Sequence, residues 1–140
     1  MELRRILSPS AAQLAPLQQK FHEYARDRIP DLPPESADKP FLIGAYRQGR
    51  FIGGINGKVY WSGLEIDTLW VDQDFRNRGY GRDLLQAAEA YARDNGAVVA
   101  FLKTVEAAGF YQGQGYEIYG TLEDRPPGTL LYHMKKRLDR

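Results

Sequence analysis

Residues 71 to 85, V-D-Q-D-F-R-N-R-G-Y-G-R-D-L-L, place two glycines and three arginines between an apolar, β-like run and the first turn of a helical pattern. Such a turn aims backbone N–H groups outward. With the positive end of the helix dipole behind them, they form a seat for phosphate oxygens. Arg76, Arg78 and Arg82 add charge there, and Gly79 and Gly81 allow an approach that a Cβ would block. Taken alone, the two glycines are equally well explained as turn geometry at a helix start. A Walker loop is excluded because no Gly-Lys-Ser/Thr follows, and Leu84 stands where a dinucleotide fingerprint has its third glycine. ATP and NAD therefore fit poorly.

A second constellation lies just upstream, in L-E-I-D-T-L-W-V, residues 64 to 71. Strict alternation puts Glu65, Asp67, Leu69 and Val71 on one face of a strand and Leu64, Ile66, Thr68 and Trp70 on the other. Two carboxylates on one face suit proton abstraction, the ordering of a water or the holding of a cation. Trp61 and Trp70 fit the core or a pocket wall better than a recognition role. Asp124, in E-D-R-P-P-G, fits a cation contact and a turn equally well.

Composition narrows the chemistry further. Lys plus Arg total 19 against 18 for Asp plus Glu, so the chain has no field for gripping nucleic acid along its length. The absence of cysteine excludes a disulfide scaffold, a thiolate zinc site and a cysteine nucleophile. The two histidines, His22 and His133, stand far apart, favour surface or packing roles, and predict no metal site. No apolar run approaches the roughly 20 residues that span a bilayer, which predicts a cytoplasmic protein with no membrane partner.

The elements that must position these groups follow from periodicity. With 140 residues and 43% hydrophobic content, one domain covering residues 1 to 140 is expected. Residues 2 to 7 read as a short first strand, and Ser8-Pro9-Ser10 starts a helix carrying Leu14, Leu17, Phe21, Tyr24 and Ala25 on one face, with Pro16 in an early turn or at a kink. Residues 29 to 40 hold four of the eight prolines and read as an extended connection or a substrate-side loop. Three β-like runs then follow with short turns, as an antiparallel meander would. Gly81 to Asn95 predicts a helix burying Leu84, Leu85, Ala88, Tyr91 and Ala92, and Ala97 to Leu102 a strand parallel to the third run. A short helix from Glu106 to Gln112, a strand from Tyr116 to Gly120 and a closing strand from Thr129 to Arg137 complete an α/β fold with a mixed sheet.

Arg76-Asn77-Arg78-Gly79-Tyr80-Gly81 resembles the R/Q-x-x-G-x-G/A signature of the GNAT superfamily of N-acetyltransferases, and Phe110-Tyr111-Gln112-Gly113-Gln114-Gly115-Tyr116 resembles its late F-Y-x-x-x-G-Y element. The element order is similar as well, most securely from Leu64 to Tyr119. The resemblance implies a mostly antiparallel mixed sheet flanked by helices, with a central strand-loop-helix-strand site for acetyl-CoA. The pyrophosphate would lie on the amides of residues 76 to 81, beside Arg82. The pantetheine arm would pair like a strand with the backbone of Leu69, Trp70 and Val71.

The same resemblance implies roles for side chains. Tyr111 corresponds to the family's general acid, although packing or contact with the cofactor arm is the alternative. Glu65 stands where some members carry a catalytic glutamate, and Asp67 shares its face as a second candidate base or amine-binding group. The Val71 N–H or a close neighbour would stabilise the oxyanion, and Thr104 stands where many members place an asparagine against the cofactor. The implied reaction is direct transfer of an acetyl group to a primary amine of a small molecule or peptide, without metal. A longer acyl donor and a non-catalytic acyl-CoA-binding or regulatory module are the alternative readings, and a homodimer through the C-terminal strand edge is a further implication of the resemblance.

Overall fold

The computed structural model describes residues 1–34 and 37–140. Their contacts divide into two compact units, Met1–Pro34 and Glu35–Arg140. In the first unit the expected strand at residues 2 to 7 is not a strand. A strand needs a partner for its backbone groups, and no described residue pairs with this segment. The helix is α1, Ala11–Arg28, entered through a capping box in which the Ser10 hydroxyl accepts from the Gln13 N–H and the Gln13 side chain accepts from the Ser10 N–H. Pro16 lies inside this helix, in its second turn. The anticipated apolar face is present in spacing but not in burial, since Leu17, Phe21 and Tyr24 are exposed. Part of the proline-rich connection, Glu35 and Ser36, lies outside the described residues.

The second unit holds the six-stranded sheet, in the order β1-β2-β3-β4-β6-β5. The meander comprises β1 (Lys39–Arg47), β2 (Arg50–Tyr60) and β3 (Gly63–Val71), antiparallel as expected. Helix α2 (Tyr80–Asp94) then leads to β4 (Val99–Thr104), the one parallel neighbour of β3. After α3 (Ala108–Gly113) the chain forms β5 (Glu117–Glu123) and returns as β6 (Leu130–Arg137), which inserts between β4 and β5. The insertion buries Met134 in the core. Asp124 serves the β5–β6 turn, where its carboxylate accepts from the Gly128 N–H at 3.0 Å.

Helix α2 packs Leu84, Leu85, Ala88 and Ala92 against Ile55, Leu64, Ile66 and Leu102 of the sheet. It also carries Glu89, 3% exposed, which accepts from the Tyr116 hydroxyl at 2.8 Å and from Lys136 Nζ at 2.9 Å. A buried carboxylate is retained only when its oxygens are satisfied, and this trio ties α2 to β6 and to the residue just before β5.

The alternation expected for β3 breaks at Asp67. Asn56 is opposite Thr68 while Gly57 is opposite Ile66, so Asp67 is an extra residue in a β-bulge. Leu69 and Val71 consequently join Leu64 and Ile66 on the α2 face, and Trp70 turns outward to stack on Phe51 with centroids 6.2 Å apart. Neither Trp70 nor Trp61 is in the core; both are exposed. Gly57 permits the bulge, because a Cβ there would collide with the carbonyl oxygen of Glu65. Gly57→Ala should therefore cost about 1–3 kcal/mol of stability, read from urea denaturation. An unchanged midpoint would show that the bulge does not depend on this glycine.

Candidate active site

Strands β3 and β4 pair over three positions only, from Gly63 opposite Val99 to Glu65 opposite Phe101. Beyond Glu65 they diverge, and among the described residues the rest of β3 has no strand partner on that edge. On the α2 face, the divergence opens a cleft of about 490 Å³. Leu69 and Val71 of β3 form one wall, Ala107, Phe110, Tyr111 and Gln114 around α3 form another, and the loop entering α2 forms its end.

That loop is held by its own polar groups. The Asp72 carboxylate accepts from Arg50 at 3.0 Å and from the Asp74 N–H at 2.9 Å, starting a single 3-10 turn at Gln73–Phe75. Arg76 Nε donates to the Val71 carbonyl at 2.9 Å, folding the loop back over the strand end. Asn77 and Gly79 adopt φ of 62° and 87°, the left-handed conformation. Gly79 is the N-cap of α2 and supplies no side-chain acceptor, so the first-turn N–H groups stay available to an outside anion.

The cleft brings together Leu69, Val71, Arg76, Asn77, Gly79, Tyr80, Gly81, Arg82 and Tyr111 of the expected set. Trp70, Arg78 and Thr104 do not line it. The Arg78 guanidinium lies 5.4 Å from the centre of the Phe75 ring. The Thr104 hydroxyl accepts from the Ala107 N–H at 3.1 Å, which starts α3 and so places Tyr111. Phe75, Phe110 and Gln114 were not singled out by sequence; Phe110 and Gln114 lie close to Tyr111 on the same short segment, the one signal that pointed to them.

Tyr111 is buried, with its ring 5.1 Å from that of Phe110 and 5.7 Å from that of Tyr116. Its hydroxyl bonds to none of the described residues. Burial raises its pKa, which keeps the phenol protonated at neutral pH, as a proton donor must be.

A second cavity, about 310 Å³, lies on the opposite face of the sheet. Glu65 and Asp67 of β3 meet Phe101 and Lys103 of β4, Tyr119 of β5 and His133 of β6 there. The two carboxylates are thus brought together, and His133, read from sequence as a surface or packing residue, joins them. No periodicity marks His133, because only the insertion of β6 beside β4 carries it there. Glu65 Oε2 accepts from the Tyr60 hydroxyl at 2.7 Å.

Residues 3–116 match the acetyltransferase (GNAT) family model. The chain belongs to the GNAT acetyltransferase family. It is accordingly an N-acetyltransferase, with the α/β sheet of that family. It is 38% identical over 94 residues to a blasticidin-S acetyltransferase of Streptomyces morookaense, a match covering 65% of this chain and 69% of that one. Among solved structures, an acetyltransferase from Bacillus cereus ATCC 14579 is 29% identical with a TM-score of 0.80, over 96% of this chain and 97% of the other. An aminoglycoside 6'-N-acetyltransferase complexed with coenzyme A shares the fold at 17% identity and a TM-score of 0.66, over 99% of this GNAT chain and 97% of the other.

Burial, together with the hydrogen bond and charge of Glu65, pushes Tyr60 up to about 12. An unfolded tyrosine ionises near about 10. The stabilisation is therefore complete below that pH and is lost as pH rises through the folded value. Across this interval, urea midpoints should fall less steeply for Tyr60→Phe than for the parent chain; equal slopes would remove the Tyr60–Glu65 bond from the account.

Proposed function

We propose that the chain transfers an acetyl group from acetyl-CoA directly to a primary amine of a cationic small molecule, with the 140 residues acting as one catalytic domain. The observation that carries this reading is the pair of cavities on opposite faces of the sheet at the β3–β4 divergence. One is walled by donors and apolar groups, and the other holds two carboxylates beside Lys103, His133 and aromatic rings.

The residues of the first cleft fit CoA. The N–H groups of the Asn77–Arg82 loop and the Arg76 and Arg82 side chains suit a pyrophosphate, and the unpaired edge of β3 suits the amides of the pantetheine arm, taken as an added strand. Acetyl-CoA supplies the activated acyl group. Tyr111 donates a proton to the departing sulfur, and the Val71 N–H or its neighbour faces the developing oxyanion. On the other face, Glu65 and Asp67 hold the cationic acceptor and are the carboxylate candidates for ordering its deprotonation. The blasticidin-S acetyltransferase relative supports a small molecule over a peptide as acceptor.

Calorimetric titration with acetyl-CoA, with ATP and NADH as controls, should show selective acetyl-CoA binding. An amine screen read by released thiol, including blasticidin S, an aminoglycoside, spermidine and a peptide N-terminus, should then find turnover. Binding without turnover of any amine would instead identify a non-catalytic acyl-CoA module. Tyr111→Phe should lower kcat by about 10²-fold or more while leaving acetyl-CoA affinity nearly unchanged; an unaltered kcat removes its role as acid. Gly79→Val should abolish acetyl-CoA binding, since a branched residue cannot hold the left-handed conformation that opens the loop. Retained binding in a folded variant would sink the account of the loop.

A further inference from the structure

His133 stands half-buried in the second cavity, among charges of both signs. Glu65 and Asp67 face it from β3, Lys103 is its cross-strand partner on β4, and Tyr119 of β5 places its ring 6.0 Å away. On its own strand, Lys135 points to the same face and sits 5.6 Å from the Tyr119 ring centre.

The two carboxylates suit an ammonium as an ion pair, and pairing opposes the loss of its proton. One oxygen of Glu65 is already engaged by Tyr60. A carboxylate, ordinarily near about 4, is also a weaker match to an alkylammonium, near about 10, than an imidazole near about 6.5. The cavity therefore holds two groups that retain a cation and one nitrogen suited to taking its proton.

We propose that His133 is the proton acceptor for the acceptor amine, with Glu65 and Asp67 holding the ammonium beside it; this rests on the acetyl-transfer reading above. His133 takes one proton from R–NH3+, and the freed lone pair forms the C–N bond at the acyl carbon. The C–S bond breaks with its electron pair going to sulfur, which takes the Tyr111 proton. The second proton leaving nitrogen restores the Tyr111 hydroxyl, and His133 releases its own to water. One amide, one thiol and one proton result.

The test uses the full chain with blasticidin S and with spermidine as acceptors. His133→Asn should lose about 10²-fold in kcat and the acidic limb of the kcat/KM profile, with acetyl-CoA affinity unchanged by calorimetry. Added imidazole should restore rate to His133→Ala but not to Glu65→Gln, whose defect should lie in amine KM. If His133→Asn does not fold, judged by circular dichroism and acetyl-CoA binding, His133→Gln carries the same comparison. An acidic limb that persists in a folded variant, or a loss of rate that imidazole does not rescue, overturns the assignment and leaves the acetyltransferase reading standing. No turnover by the parent chain of any amine in the screen, with acetyl-CoA bound, overturns both.

Discussion

A β-strand inside a sheet must satisfy backbone donors and acceptors on two edges, and past Glu65 the strand β3 has, among the described residues, a strand neighbour on only one. That imbalance would be costly in a closed core. Here it faces a cleft, so the unsatisfied edge is available to a ligand that brings amide groups. The bulge at Asp67 compounds the effect. It returns Leu69 and Val71 to the α2 face to wall the cleft, while Glu65 and Asp67 line the cavity behind it. One strand thus walls two cavities through a single extra residue.

The groups flanking that opening are fixed by buried or local polar contacts more than by apolar packing alone. Glu89 ties α2 to Tyr116 and Lys136, Thr104 starts α3, and Asp72 and Arg76 fold the phosphate-type loop over the end of β3. Each contact joins a segment carrying part of the cleft to a neighbouring one, so the geometry of the cleft is specified at its margins. The edge contact of Tyr111 with Tyr116 links the candidate acid to the Glu89 network.

Electrostatically the molecule separates its charges by place and not by amount. Its formal net charge is only +1, yet Arg76, Arg82 and open N–H groups stand at the loop before α2, while Glu65 and Asp67 stand on the other face of the sheet, beside Lys103. On the proposed reading an anionic donor meets the loop face and a cationic acceptor the carboxylates behind it, and at a near-neutral net charge such sorting works at short range, within a Debye length of about 8 Å in physiological salt.

Much of this was legible in the sequence, for reasons that are local. The meander, the α2 face of Leu84, Leu85, Ala88 and Ala92, and the apolar parallel strand followed from periodicity; the Arg76–Gly81 loop and the Tyr111 element followed from residues that must be adjacent in the chain to work. The strand expected at residues 2 to 7 failed because pairing needs a partner that composition cannot supply. The bulge at Asp67 was hidden because its condition, a glycine across the ladder at position 57, lies on another strand. The insertion of β6 between β4 and β5, the burial of Glu89 and the arrival of His133 beside Glu65 are long-range pairings. Sequence alone determined which chemical groups the chain owns and which of them share a turn or a strand; only the tertiary structure decided which meet across the sheet, because strand order and register are set by the burial of whole faces and not by any one segment.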